Sequence, residues 1–239
     1  CRLGQKALER TAYCSCSSKR ETSISPNQIE NVTASGARRL IGISDTLPPH
    51  LQEYLTKERR IDLEKATPFL KCISYEVRGR RYEAIGFANS SGGYELRDNH
   101  LFKGTVAPKD ITPIFEDKAQ PVYLFEGFMD FLSFLSMKEE VNNRCLVMNS
   151  VSNVARSIHY LNKRNITSVR AFLDNDDAGR KAVQEFVNTG FKVEDMAVYY
   201  RDFKDLNEFH VSRVREQQKK LEKTPKTSNK VKQVKLKIR

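Results

Sequence analysis

The sequence has no tryptophan, only four histidines and no apolar run long enough to span a bilayer. Its most apolar stretch, residues 122–137 (VYLFEGFMDFLSFLSM), carries Glu126 and Asp130. It falls short of the roughly 20 apolar residues that a spanning helix needs. Residues 1–20 contain no unbroken apolar segment of the kind a secretory signal requires. Cys1, Cys14, Cys16, Cys72 and Cys145 are odd in number and scattered, so free thiols in a reducing cytoplasm are expected, with no membrane partner. Cys14 and Cys16 have neither a second cysteine pair nor a histidine at ligand spacing, which argues against zinc. His50, His100, His159 and His210 stand apart from one another and read as structural or surface residues. A GxSxG elbow and a GxxxxGK[ST] loop are both missing, which excludes hydrolase-type acyl transfer and P-loop ATPase chemistry.

What is present is charge, and it has a location. The 239 residues carry a formal net charge of +11. Residues 212–239 hold eleven Lys/Arg against Glu216 and Glu222, so +9 sits in the tail and +2 in everything before it. A basic arm of this kind suits polyanions, because lysine and arginine contacts to phosphates release counterions. From about residue 216 its few large apolar residues cannot bury enough surface to fold alone, so a disordered arm is expected there.

Composition divides the rest. Residues 1–45, rich in Ser, Thr, Asn and Arg, read as a flexible leader. Residues 47–66 (LPPHLQEYLTKERRIDLEKA) read as helical, with Pro48-Pro49 at the start. A β-rich piece follows, in which CISYEV (72–77) and YEAIGFA (82–88) flank an Arg78-Gly79-Arg80-Arg81 turn, and YELR comes after NSSGG. From residue 121, strands PVYLFE, CLVMN (145–149), VRAFLD (169–174) and MAVYY (196–200) alternate with helical segments. That alternation predicts an α/β fold with a mostly parallel, doubly wound sheet.

In such sheets ligands bind beyond the carboxyl ends of the strands. Acid stands there in this chain: Glu126 after the first strand, Asp174 and Asp176 after the third, Asp205 after the fourth. Converging carboxylates repel one another and raise their own pKa values unless cations neutralise them. Hard oxygen ligands of this kind suit Mg²⁺ (or Mn²⁺) together with substrate phosphates. Taken singly, each residue has a plainer use. Glu126 could favour the helix it precedes, and Asp177 is the expected cap of the helix after Asp174 and Asp176.

The two motifs together carry more. Glu126-Gly127-Phe128-Met129-Asp130 resembles the EGxxD motif, and Asp174-Asn175-Asp176-Asp177-Ala178-Gly179 the DxDxxG motif, of the Toprim domain. The wording EGFMD, DNDDAGRKA and KDLNE (204–208) is most similar to bacterial DnaG-type primases, and RGRRYEAIGF (78–87) with HLFKG (100–104) resembles the basic lobe ahead of Toprim there. The resemblance implies a small mixed α+β basic lobe over 46–118 and a Rossmann-like Toprim domain over 119–212; residues 213–239, by their composition, remain a basic disordered tail. It implies Glu126, Asp174 and Asp176 as catalytic residues and Glu126, Asp174, Asp176 and Asp205 as Mg²⁺ or Mn²⁺ ligands. Gly127, Asp130, Gly179 and Glu208 would support them, and Arg78, Arg80, Arg81 and Lys103 would meet nucleotide or nucleic acid.

The implied activity is metal-dependent synthesis of short RNA primers on a single-stranded DNA template from NTPs, with a replicative helicase or a mobilisation protein as further partner. Three departures qualify it. No zinc ribbon precedes the lobe within this sequence, which begins at Cys1; the basic tail stands after residue 212 where the family has a helicase-binding helical domain; and Asn149-Ser150 replaces the Gly-Thr that ends the second strand in the family. The chain thus resembles the compact primases of mobile elements. A Toprim nuclease and a non-catalytic DNA-binding accessory are the alternatives.

Overall fold

The computed structural model of the protein describes residues 38–99 and 102–223. The leader through residue 37 with its Cys14 and Cys16, the His100-Leu101 step of HLFKG and the tail from residue 224 lie outside the described residues. The described chain builds two five-stranded sheets that share a core.

The first sheet is an antiparallel meander of β1 (Arg39–Ser44), β2 (Leu70–Val77), β3 (Arg80–Ala88), β4 (Tyr94–Arg97) and β5 (Lys103–Val106), in that spatial order. Between β1 and β2 run α1 (Pro49–Glu53), a π-helical turn (Tyr54–Glu58) and α2 (Leu63–Ala66). Pro49 opens α1 at a position where its missing N–H costs nothing, as the Pro48-Pro49 pair predicts. Asp62 caps α2 by accepting from the Glu64 backbone N–H at 3.0 Å. β1 falls inside the segment read as leader. It is an exposed edge strand with a bulge between Leu40 and Gly42, so burial leaves no alternating pattern to detect.

The second sheet contains β6 (Thr112–Ile114), β7 (Ala119–Phe125), β8 (Asn143–Val147), β9 (Ser168–Phe172) and β10 (Lys192–Asp195), ordered β10-β9-β7-β8-β6. All neighbours are parallel except β6, which pairs antiparallel with β8. α3 (Phe128–Met137), α4 (Val154–Lys163), α5 (Asp177–Asn188) and α6 (Leu206–Lys223) complete the fold. Alternation along the strands sorts the two faces. Phe125, Cys145, Val147 and Phe172 join the core of α3, α6 and the first sheet, whereas Leu124, Leu146, Val169 and Ala171 join that of α4 and α5. Helices therefore cover both faces, as a doubly wound sheet requires.

Two expectations shift. MAVYY is not the fourth strand: Met196–Tyr200 is a 3-10 helix, and Lys192–Asp195 pairs with β9 instead. Tyr200 is buried and donates to the Leu173 carbonyl at 2.9 Å, while Val198 and Tyr199 lie 60% and 67% exposed, a pattern no inner strand shows. The basic segment expected to be disordered from about 216 stays helical to Lys223, because α6 is continuous from a well-packed first turn. Among the described residues no helix is long and apolar enough to cross a membrane.

Candidate active site

The carboxyl ends of β7, β8 and β9 form one rim. Beyond β7, Glu126 and Gly127 make the turn into α3, with Gly127 at the N-cap position. Asp130, one turn into α3, is 7% exposed and accepts from the Asn207 backbone N–H at 3.2 Å. Asp174 stands two residues past β9, and its backbone N–H donates to Glu126 Oε2 at 3.2 Å. Asp205 precedes α6 and accepts from the Glu208 N–H at 2.8 Å, while Glu208 Oε2 accepts from the Lys204 N–H at 2.7 Å. The two hold the start of α6 as a reciprocal cap.

Asp130, Asp174 and Asp205 each bring a carboxylate oxygen within 4.8 Å of the other two. Burial pushes the Asp174 carboxyl up to about 7, aided by the charges of Glu126 and Asp205 and opposed by Lys103 and Lys204. Burial also raises Glu126, with Asp176 adding to it, against the Asp174 N–H and the same two lysines. Asp130 lies well above the usual carboxylate range, through burial first and then Asp205 and Asp174. Buried acids raised by desolvation first and by one another second form a site that a bound cation would let ionise. An all-oxygen donor set with no histidine or thiol fits a hard divalent cation rather than zinc.

Asp176 plays another part. Its Oδ1 accepts from the Gly179 N–H at 2.8 Å, so Asp176, not the expected Asp177, caps α5. It stands outside the carboxylate trio, and Asp130, expected only to support, stands inside it. Gly179 has its own reason. A Cβ there would overlap the Asp174 backbone carbonyl, so α5 can meet the Asp174 loop only through glycine. Asn175 ties that loop down, donating from its side chain to the Tyr200 and Phe203 carbonyls and from its backbone N–H to the Lys204 carbonyl at 2.7 Å.

The trio and Glu126 line a cleft of about 1050 Å³. Lys103 at the start of β5 and Gly127 and Glu208 line it too, whereas Arg78, Arg80 and Arg81 do not. Sequence reasoning missed Arg59, Arg97 and Asn207, which also line it. Arg59 donates to Tyr54 Oη at 2.8 Å and to Asn207 Oδ1 at 2.9 Å. Arg97 lies over the Phe128 ring at 5.2 Å, and burial lowers its pKa. No short motif surrounds either arginine. Asn207, inside KDLNE, is 2% exposed and also donates to the Arg59 carbonyl and Ser133 Oγ, a role that only the tertiary structure discloses.

Comparison with known families divides the chain as the two sheets do. Residues 123–210 match the family described as Toprim-like, so this part of the chain is a Toprim-like domain, and residues 41–107 match a domain of unknown function (DUF8464). No curated protein matches the chain. Two solved structures resemble it at a TM-score of 0.49 and 17% identity over 69% of its length. One is the primase fragment of the bacteriophage T7 primase-helicase protein, of which 71% is covered. The other is the bacteriophage T7 lagging-strand DNA polymerase interacting with primase domains of two gp4 subunits bound to an RNA/DNA hybrid and dTTP, with 87% of the matched chain covered.

Proposed function

We propose that the chain is a primase-like nucleotidyltransferase that joins NTPs into short RNA primers on single-stranded DNA. The observation that carries this reading is the trio Asp130, Asp174 and Asp205, packed within 4.8 Å in a cleft that Glu126, Arg59, Arg97 and Lys103 also line. Asp130, Asp174 and Asp205 would hold a divalent cation, Mg²⁺ or Mn²⁺, with Glu126 beside them. Bound there, it would supply positive charge to offset the negative charge of phosphoryl transfer.

The chain's own groups do the rest. Glu126 Oε2 is occupied by the Asp174 N–H, which leaves Oε1 to take the proton of an attacking hydroxyl. Its raised pKa suits that task near neutral pH. Arg97 and Arg59, each held by stacking on a ring, offer fixed donors to phosphate oxygens, and Lys103 offers a point charge. Positioning of this kind supplies most of the catalysis in phosphoryl transfer.

The test is direct. The full chain is incubated with single-stranded DNA, labelled NTPs and Mg²⁺ or Mn²⁺, beside its Asp174→Asn variant. Short labelled RNA from the parent, and none from a variant with unchanged circular dichroism, is the expected result. Equal product from both overturns the proposal. Shortening of the DNA without NTPs would assign the site to a nuclease.

A further inference from the structure

Outside the acidic cleft, the first sheet carries a column of stacked rings that the proposed chemistry does not use. Tyr82 stacks on Tyr75 with centroids 5.6 Å apart and planes at 23°, and Tyr75 stacks on Phe102 at 6.0 Å and 17°. The Arg38 guanidinium closes the column 4.9 Å from the Phe102 centroid. Strand register explains the first step: Tyr75 in β2 and Tyr82 in β3 are direct cross-strand partners, so their side chains leave the same face. Tyr75 is 3% exposed and Tyr82, at the end of the column, is 43% exposed. A solvent-facing ring already oriented by the ring behind it has little rotamer freedom left to lose on binding a flat partner.

The hairpin beside it is basic. Arg78 and Gly79 make its turn with φ of 51° and 75°, and Arg78, Arg80 and Arg81 are all exposed. Among the described residues none of the three makes an ion pair, whereas the nearby Glu76 is already paired with Arg39 at 3.1 Å. Glu83 is the remaining acid on this stretch of β3. A groove of about 800 Å³ runs past Tyr82 and Arg81, lined also by Ile41, His50, Ser74 and the acids Glu83 and Asp98, so phosphates fit the basic turn and not the groove floor. The partner that matches a presented ring next to unpaired arginines has flat faces to stack and phosphates to neutralise. Single-stranded nucleic acid has both, and a duplex hides its base faces.

We infer that Tyr82, backed by Tyr75, and the arginines Arg78, Arg80 and Arg81 form a second contact site for single-stranded DNA, with a base stacked on Tyr82 and the adjoining phosphates on the hairpin. The inference rests on the reading of the chain as an enzyme of single-stranded DNA. It adds a place where the strand is held, since none of these residues lines the acidic cleft.

The test uses the full chain in EDTA without NTPs, so that the acidic site contributes nothing through metal. Binding of a labelled oligothymidylate is compared with binding of an abasic sugar–phosphate strand of the same length. Tyr82→Ala should weaken oligothymidylate binding about tenfold, within the range for base–aromatic stacking, and leave abasic binding unchanged. Tyr82→Phe should bind like the parent. Tyr82→Leu, which keeps an apolar cover over Tyr75 without a ring, should fall with the alanine variant. Joint change of Arg80 and Arg81 to Gln should weaken both strands and flatten the salt dependence. Parent-like oligothymidylate binding by Tyr82→Ala or Tyr82→Leu overturns the inference, as does an equal loss on both strands. A chain that passes this test yet makes no primers overturns the catalytic proposal alone; primer synthesis with Tyr82→Ala binding unchanged overturns this one alone.

Discussion

The backbone N–H of Asp174 donates to Glu126 Oε2 over 3.2 Å, which joins the ends of two neighbouring parallel strands through the side chain of one and the main chain of the other. Glu126→Gln keeps an acceptor for that N–H, so the fold should survive with an unchanged melting temperature. The amide cannot accept a proton, and primer synthesis should fall by about 10²–10⁴-fold. Rates of labelled RNA formation, read beside a thermal melt, check both halves.

Asp174 gives the site a pH dependence whose sign can be worked out. Its folded carboxyl titrates at about 7 against an ordinary value of 3.8. A raised acid pKa means that the folded chain holds the proton more tightly than the unfolded one. Without divalent cation, stability should therefore fall as pH rises from about 3.8 to about 7 and level off above. Cations compete with that proton, so Mn²⁺ affinity should climb as pH rises through about 7. Asp174→Asn should remove the trend and weaken binding of Mn²⁺. Calorimetric titration and thermal melts at several pH values measure both, and a pH-independent affinity in the parent would contradict the assignment.

Burial explains which parts of this are legible in the sequence. β7, β8 and β9 are covered on both faces by helices, so their inner ends read as short apolar runs (VYLF, CLVM and AFL) and their acids fall at the rim where parallel strands put them. β10 is an edge strand with the sequence KVED and little burial, and the apolar MAVYY beside it captured the assignment. β1 fails for the same reason. Within the motifs, spacing shows that Asp174 and Asp176 lie near each other but not which one faces the cleft. Backbone direction at the start of α5 decides that, turning Asp176 onto the Gly179 N–H. Asp130 belongs to the trio because α3 is pressed against the start of α6, a contact between residues 77 positions apart.

Gly179→Ala separates helix propensity from packing. Alanine in α5 should gain up to about 1 kcal/mol of propensity. The added Cβ overlaps the Asp174 carbonyl, and overpacking of this kind costs about 1–3 kcal/mol. Net destabilisation in urea, with a loss of Mn²⁺ affinity as the Asp174 loop shifts, is the expected result. A variant more stable than the parent would show that the loop has room to move.

Asn207→Leu tests the link between the two halves of the cleft. It strips partners from Ser133 Oγ, the Arg59 carbonyl and the Arg59 guanidinium, and leaving such groups buried and unpaired costs about 1–3 kcal/mol. The Asn207 N–H to Asp130 persists, so metal affinity should drop less than in Asp174→Asn. NTP affinity, which depends on where Arg59 points, should drop more.

Two truncations divide the basic C-terminal region by what each stretch touches. Six Lys/Arg and no acid follow Lys223, beyond α6. Cutting there removes charge without touching the cleft lining. Affinity for single-stranded DNA should weaken, and its log–log salt slope should shrink by about 0.7 for each phosphate that the shortened chain no longer neutralises. The rate at saturating template should stay at the parental value. Cutting after Val214 also takes away Arg215 and Lys219, which line the same cleft as Asp174. That chain should lose rate even at saturating template, because two cations that line the cleft are gone, together with Glu216. Single-turnover primer synthesis by the two truncated chains distinguishes the contributions. Equal rates from both would place Arg215 and Lys219 outside the catalytic groove and leave α6 beyond its second turn with a purely electrostatic role.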